Sequence, residues 1–314
     1  MRRLWNKIWP VIKQAFSEWS SDKGPRLGAA LSYYTVFSIA PVLIVAIAVA
    51  GVFLGHDAAQ GRIVAQLSGL LGTDAAKMLQ SAVAKAAHGQ HGVAALVGIG
   101  TLLIGATGVM IELQDALNTV WKVLPKPGGG VKRFVRARIL ALALVLSLGF
   151  LLLVSLVMSA GLEGFVKWAG GFLPTWIALG YVLNYGVSIA IIALFFALIF
   201  KVLPDAKVAW KDVWFGAFVT SLLFHVGKYL IALYIGRASV ASTFGAAGSL
   251  AVLLVWIYYS SQILLLGAEV TRAYADRYGH HVVPDENAIP APHAAPDRLA
   301  VEKALKQSPS TARG

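Results

Sequence analysis

Residues 139–160 read ILALALVLSLGFLLLVSLVMSA and contain no charged side chain. A helix needs about 20 consecutive apolar residues to cross the hydrocarbon core of a bilayer. A run of this length without any charged side chain favours a membrane-spanning helix over a helix in the core of a soluble protein. The stretch therefore predicts an integral membrane protein.

The composition of the whole chain leads to the same prediction. Of its 314 residues, 58% are hydrophobic and 13% are charged, and the mean hydropathy is +0.70. Soluble domains carry about 25% charged residues, so this composition excludes an ordinary soluble globule and a disordered chain. The chain has no cysteine, which excludes disulfides, thiolate catalysis and cysteine-ligated metal or iron–sulfur sites.

The remaining apolar runs predict an all-α integral membrane protein with six transmembrane helices. The predicted spans cover about 27–55, 93–121, 138–160, 176–202, 212–236 and 246–272, within a membrane domain of residues 27–278. Two short amphipathic helices are expected at 58–71 and 73–88, in the first outer loop. Five of the twelve prolines fall in the last 31 residues, so residues 279–314 are expected to form a disordered cytoplasmic tail.

The segment 1–26 is predicted to form a cytoplasmic amphipathic helix. Its apolar residues recur at spacings of three and four, and they are Trp5, Ile8, Ile12, Phe16 and Trp19. Basic residues flank this row, as is typical of a helix that lies in the headgroup layer of a membrane. A helix that packs on the rest of the protein remains the alternative.

Basic residues predict the orientation of the spans. Of the 27 lysines and arginines, 21 fall in the N-terminal segment, around the loops 121–138 and 202–212, and in the C-terminal segment. The opposite side carries five. Both termini are therefore expected in the cytoplasm.

The loop after the second span holds six basic residues and no acid: Lys122, Lys126, Lys132, Arg133, Arg136 and Arg138. We call this set the basic rim. It suits the binding of acidic lipid headgroups or of RNA. The alternative is that it serves only to set the topology.

Ionisable residues inside spans are costly and usually have a function or a partner. In the second span, small and polar residues recur at spacings of three and four: Gly98, Thr101, Gly105, Gly108, Glu112, Asp115 and Thr119. Small residues allow another helix to approach closely. We therefore expect Glu112 and Asp115 to point into the bundle and to form the charged centre of a polar cavity that opens to the cytoplasm.

Polar residues of other spans fall at a similar depth. The first span carries Tyr34 and Ser38 ahead of Pro41, and the sixth carries Gln262 and Glu269. Two interpretations stay open. These residues line the cavity together with Glu112 and Asp115, or they form a structural hydrogen-bond network.

The fifth span contains His225 and Lys228, one helical turn apart. Lys228 either extends toward the outer interface near Arg237 or contributes to a substrate or ion pathway. His88 and His91 are too few for a metal site, and no nucleotide-binding or hydrolase motif occurs in the sequence. We predict no metal, no cofactor and no catalytic residues.

Three segments resemble the YihY/BrkB family of bacterial inner-membrane proteins. They are RLGAALSYYTVFSIAP at 26–41, GATGVMIELQDALNTVW at 105–121, and the run from Tyr234 to Glu269 that contains SVASTFGAAGSL and WIYYSSQILLLGAE. The resemblance implies six spans in the bacterial inner membrane. The family has been labelled ribonuclease BN, which is regarded as a mislabelling, and it has been connected with transport and envelope biogenesis. It supplies no agreed catalytic or substrate-binding residues.

Three functions follow as hypotheses. The first is transport or flipping of an envelope lipid or another amphiphile, with Glu112 and Asp115 as a proton or cation relay. The second is a scaffold that recruits envelope proteins as partners and transports nothing. The third, a ribonuclease, is disfavoured because the paired carboxylates lie within a span and the histidines are scattered. We therefore expect membrane lipids as partners, no nucleic acid and no enzymatic activity; the oligomeric state is not predicted.

The predicted topology is testable because the chain has no native cysteine. A membrane-impermeant maleimide added to intact spheroplasts should label Lys167→Cys, which the basic-residue count places outside. It should label Lys207→Cys only after the membrane is permeabilised. Labelling in the reverse order would contradict the orientation.

Overall fold

The structure is a computed structural model, and it describes residues 2–71, 73–88, 108–126, 175–238 and 240–291 and nine single helical positions between 135 and 164. The continuous helices are α1 (Arg2–Ser21), α2 (Gly24–Leu54), α3 (His56–Leu71), α4 (Thr73–His88), α5 (108–120), α6 (Thr175–Val202), α7 (Trp210–Ala238) and α8 (Val240–Tyr278). The strands are β1 (Val123–Pro125), β2 (Ala206–Lys207), β3 (Val283–Pro284) and β4 (Ala288–Pro290).

Three helices in the described part of the chain are long and apolar enough to cross a membrane. Their apolar stretches cover Tyr185–Val202, Trp210–Ile231 and Gly248–Tyr278. They coincide with the predicted fourth, fifth and sixth spans. The first predicted span coincides with the helix α2, while most of the second and third lies outside the described residues. The helical membrane architecture is therefore confirmed, and the number of six spans stays a prediction.

The helix α8 is the centre of the bundle. It is 39 residues long and packs against α1, α2, α4 and α7, while α7 also packs against α6. A largely apolar core fills the place where α5 and α6 end and α7 begins. Its fully buried members include Leu117, Phe200, Leu203, Val213 and Leu265.

Glycine and threonine bring α7 and α8 into close contact. A Cβ atom at Gly216 would lie 1.6 Å from Oγ1 of Thr271, and one at Gly267 would lie 1.9 Å from Oγ1 of Thr220. Each threonine also donates a hydrogen bond within its own helix, Thr220 to Gly216 at 2.6 Å and Thr271 to Gly267 at 2.8 Å. The two hydroxyls are therefore satisfied without a gap between the helices, as in small-residue contacts of membrane proteins.

The helices α3 and α4 form a pair that turns its apolar residues inward. Ala59 and Ile63 of α3 and Val83 of α4 pack against Ala46 and Ile47 in the C-terminal half of α2. Leu79 of α4 packs against Leu253 and Ile257 in α8. Helices therefore lie at both predicted stretches, and these residues of α3 and α4 pack within the chain, while the amphipathic character of the helices stays a prediction.

Residues 279–291 differ from the sequence prediction. β4 pairs antiparallel with β1, with Ile289 opposite Leu124, and β3 pairs antiparallel with β2, with Val283 opposite Lys207. Ala288 is buried and Val282 packs on the core. The prediction of disorder from residue 279 is therefore wrong up to residue 291, because two loops supply backbone partners that the proline content did not reveal. Residues 292–314 lie outside the described part.

The contact between α7 and α8 predicts a position-specific effect of adding one methyl group. Gly216→Ala places its Cβ against both the side chain and the backbone of Thr271, so the helices must separate. Such overpacking costs about 1–3 kcal/mol, which should lower the melting temperature of the detergent-solubilised protein.

Gly186→Ala is the matched control. This glycine is also helical, but a Cβ atom there meets nothing within 4 Å, and alanine favours helix by up to about 1 kcal/mol. The control should melt at or above the temperature of the parent protein. Equal melting of the two variants would contradict the close contact.

Candidate functional site

The two acids of α5 do not lie on the packed side of that helix. Its buried residues include Gln114, Leu117, Asn118 and Trp121, whereas Asp115 is exposed and Glu112 is half-buried. The prediction that both carboxylates point into the bundle is therefore wrong for Asp115, and it stays a prediction for Glu112. The packed side of α5 consists of apolar core residues and of the amides of Gln114 and Asn118, which share a buried partner.

That partner is Asp205, in the loop between α6 and β2. Its carboxylate accepts hydrogen bonds from Gln114 Nε2 at 3.1 Å and from Asn118 Nδ2 at 3.0 Å, and its backbone N–H donates to Asn118 Oδ1 at 2.8 Å. Its carbonyl accepts the N–H of Asp285 at 2.9 Å. Donors of this kind stabilise a buried carboxylate, so Asp205 joins α5, the loop and the C-terminal segment.

This network was not predicted from the sequence. Two amides one turn apart, Gln114 and Asn118, lie close in sequence to Glu112 and Asp115. Asp205 follows Pro204 in a short loop. The spacing of the amides was the available signal, because residues four apart share one side of a helix.

An ionic cluster links the end of α1 to α5 and α8. We use this name for Glu18, Asp22, Lys122, Glu269 and Arg272. Arg272 donates to Glu18 at 2.5 Å and to the carbonyl of Val120 at 3.1 Å, and Lys122 forms an ion pair with Asp22. Glu269 is 1% exposed and is surrounded by the charges of the other four. Its Oε1 has no hydrogen-bond partner within the described structure.

Gln262 lies next to this cluster and holds the junction of α1 and α2. It accepts a hydrogen bond from Trp19 Nε1 at 3.1 Å and donates to the carbonyl of Gly24 at 3.3 Å. A Cβ atom at Gly28 would lie 1.9 Å from its Nε2. Of the two open interpretations, this geometry favours the structural network for Gln262.

The other polar residues of the first predicted span lie beside α5. The ring of Tyr34 is close to Gly108, where a Cβ atom would lie 3.2 Å from Tyr34 Cδ1, and Ser38 donates to the carbonyl of Tyr34 at 2.8 Å. Tyr33, Tyr34 and Phe37 are exposed. Since Glu112 is one turn from Gly108, an aromatic side of α2 adjoins the acidic side of α5.

His225 and Lys228 are not part of this surface. His225 is buried between α6 and α7, where Nδ1 lies 2.9 Å from the carbonyl of Ser221 and Nε2 lies 3.4 Å from Ser188 Oγ. Lys228 places its Nζ 5.7 Å from the centre of the Tyr229 ring. His225 and Lys228 therefore lie apart from the surface that α2 and α5 form.

Two lysines of the basic rim lie in the described region, and the protein itself engages both. Lys122 pairs with Asp22 and its carbonyl accepts the N–H of Ala291, while Lys126 donates from Nζ to the carbonyl of Glu286 at 2.7 Å. Lys132, Arg133, Arg136 and Arg138 lie outside the described residues. Within the described ranges, no group of three or more histidine or acidic side chains is placed to hold a metal ion.

Comparison with known proteins gives a consistent family. The family model described as virulence factor BrkB matches residues 15–291. A UPF0761 membrane protein of Verminephrobacter eiseniae is 30% identical over 84% of this chain and 62% of its own length. A UPF0761 membrane protein of Ralstonia nicotianae is 27% identical over 85% of this chain and 60% of its own length.

A third relative carries a different name. The putative ribonuclease-like protein YfkH of Bacillus subtilis is 24% identical over 88% of this chain and 98% of its own length. The chain spans about three fifths of the length of the first two relatives. No solved structure matches it.

The network around Asp205 predicts that its charge and its shape both matter for stability. Asp205→Ala leaves two buried amides without an acceptor, at about 1–3 kcal/mol for each unsatisfied group, so the melting temperature should fall strongly. Asp205→Asn keeps the shape and one oxygen, and should fall between Ala and the parent. Glu286→Gln, an exposed acid nearby, is the control and should melt like the parent. Equal melting of Asp205→Ala and the control would contradict the network.

Proposed function

The chain belongs to the virulence factor BrkB family, and from that premise we propose that it moves an envelope lipid or another amphiphile across the bacterial inner membrane, or otherwise serves envelope biogenesis. In this proposal the chain spans the membrane six times and keeps both termini in the cytoplasm. The observation that carries it is the position of Glu112 and Asp115 on the side of α5 that does not pack into the core.

Depth makes this position unusual. Measured from Trp121 at the end of the predicted span, Asp115 lies about 9 Å and Glu112 about 13 Å along the helix, at 1.5 Å per residue. A charged acidic side chain near the centre of a spanning helix costs about 2.5–3.5 kcal/mol on insertion scales. A surface that carries two such residues is therefore expected to face water or the polar part of a bound molecule.

The neighbouring surface of α2 has the complementary chemistry. Tyr33 and Phe37 are 60% and 64% exposed, and their rings pack edge to face with centres 5.0 Å apart. Tyr34 connects this aromatic side to Gly108 of α5. An amphiphile has a polar and an apolar part, so a surface with acids beside aromatic rings suits such a substrate.

The scaffold hypothesis has less support than the proposal of lipid movement. It relied on the amphipathic stretches at 58–88 as a surface for partners. In the structure, Ile63, Leu79 and Val83 of α3 and α4 are turned toward α2 and α8, so these three residues are already covered within the chain. The ribonuclease hypothesis draws on the name of one relative, YfkH, but in the proposed topology the acids of α5 lie within an apolar span.

The test uses the full chain in proteoliposomes that contain fluorescent phosphatidylethanolamine or phosphatidylglycerol. Dithionite quenches only the outer leaflet, so lipid movement appears as loss of the protected signal. The parent protein should accelerate this loss for at least one of the two lipids. Glu112→Gln combined with Asp115→Asn should slow it about tenfold, which corresponds to about 1.4 kcal/mol of barrier.

Asp57→Asn provides the control for removing an acid elsewhere in the chain, because Asp57 lies in the first turn of α3. It should move lipid like the parent. Loss of movement in this control would point to a general effect of removing acids. A double variant as active as the parent would remove Glu112 and Asp115 from the proposal, and a parent that moves neither lipid but crosslinks to envelope proteins would favour the scaffold.

A further inference from the structure

The helix α1 presents three different sides, which follow from the rotation of 100° per residue in an α-helix. Val11 and Ala15 are buried against Val270 and Ala273 of α8. The next side carries apolar residues that remain exposed, and the third carries Lys13, Ser17 and Ser20. A helix in a soluble protein would need only a buried side and a polar side.

Polar contacts fix the rotation of α1 about its axis. Glu18 and Asp22 both turn toward the bundle, where they pair with Arg272 and Lys122. Two further hydrogen bonds also connect α1 to α8. Arg277 Nε donates to Gln14 Oε1 at 2.6 Å, and Trp19 donates to Gln262. Contacts spread over three turns leave the helix little freedom to roll, so the orientation of its apolar side is determined.

That apolar side is large and exposed. Ile8, Trp9, Ile12 and Phe16 are 39%, 52%, 43% and 58% exposed. Such a continuous apolar patch marks an interaction surface.

The patch continues onto a membrane-spanning helix. Phe215 and Val219 near the start of α7 pack on the apolar cluster that Val11 and Ala15 of α1 form with α8. The helix α7 also exposes Trp210, Trp214 and Phe218 at spacings of four residues. Tryptophans at the end of a spanning helix mark the interface between hydrocarbon and water. The apolar side of α1 therefore lies at the level of this interface and near the exposed apolar residues of α7.

The exposed charges around the patch are basic. Among residues 8–26, the exposed charged side chains are Lys13, Lys23 and Arg26, whereas the two acids face the bundle. An apolar side flanked by basic residues is complementary to an anionic leaflet.

We propose that α1 lies in the headgroup layer of the leaflet on the N-terminal side, which the basic-residue count predicts to be the cytoplasmic one. Ile12 and Phe16 enter the acyl region, and Lys13, Lys23 and Arg26 bind anionic phospholipid headgroups. The ionic cluster holds the helix in this rotation. The proposal is independent of lipid movement, since it concerns how the chain is seated in the membrane.

The test uses the absence of native cysteine. The variants Ile12→Cys, Phe16→Cys and Ser17→Cys of the full chain are spin-labelled and reconstituted in phosphatidylcholine bilayers, with or without an equal part of phosphatidylglycerol. Collision with oxygen reports the acyl region, and collision with a nickel chelate reports water. The ratio of collision with oxygen to collision with the nickel chelate should be several-fold higher for the labels at 12 and 16 than for the label at 17.

The headgroup claim has its own comparison. Phosphatidylglycerol should shift the labels at 12 and 16 deeper, and high salt should reverse the shift because it screens exposed charges. Lys13→Gln combined with Lys23→Gln should reduce the shift, since only Arg26 of the three basic residues then remains. Lys77→Gln, a basic residue exposed on α4, is the control and should preserve it. A shift that is independent of these two lysines overturns the headgroup claim.

Two results would overturn the lipid proposal itself. Equal exposure of all three labels to the nickel chelate would place α1 in water. Shielding of positions 12 and 16 from both reagents, together with spin–spin broadening, would identify a second copy of the chain as the occupant. Arg272→Gln tests the rotation: the difference between positions 12 and 17 should shrink, and an unchanged difference would show that the ionic cluster does not set it.

Discussion

The close contact of α7 and α8 is the constraint from which the other packing follows. Gly216 and Gly267 admit the threonines of the facing helix, and these threonines satisfy their hydroxyls within their own helices. With α7 held against α8, the start of α7 lies beside the C-terminal end of α8. Asp212 at the start of α7 accepts the N–H of His280 at 3.0 Å, so the chain that leaves α8 is directed back across the loops between the helices. The strands β3 and β4 and the buried Asp205 depend on that direction.

Several ion pairs and charged hydrogen bonds in the described structure join segments that are distant in sequence. Arg272 and Glu18 are 254 residues apart, Lys122 and Asp22 are 100 apart, and Asn118 and Asp205 are 87 apart. Charged partners satisfy each other where water is scarce, whereas a lone buried charge is costly. The basic residues that predicted the topology include Lys122 and Arg272, so the same side chains also serve as ties within the fold.

The sequence predicted the apolar helices well because their length and composition are local properties. The spans expected at 176–202, 212–236 and 246–272 correspond to α6, α7 and α8 within a few residues. The side of α5 that packs was predicted wrongly, since small residues and acids recur on one side while Gln114 and Asn118 recur on another, and only the position of Asp205 decides between them. The strands of residues 283–290 were missed for a related reason. Their partners, β1 and β2, lie more than 70 residues earlier in the chain, and a pairing of this kind leaves no periodic pattern in the sequence.

The structure also narrows the set of residues that deserve a functional test. Gln262 and Glu269 were candidates for a cavity, yet one bonds the junction of α1 and α2 and the other lies within the ionic cluster. Their substitution would change the seating of α1 whether or not the protein moves a substrate. Glu112 and Asp115 differ, because neither belongs to the buried amides and apolar residues of α5, and acids within a span commonly have a function. Their position beside the exposed rings of α2 supplies one, since acids and aromatic rings together match the two parts of an amphiphile.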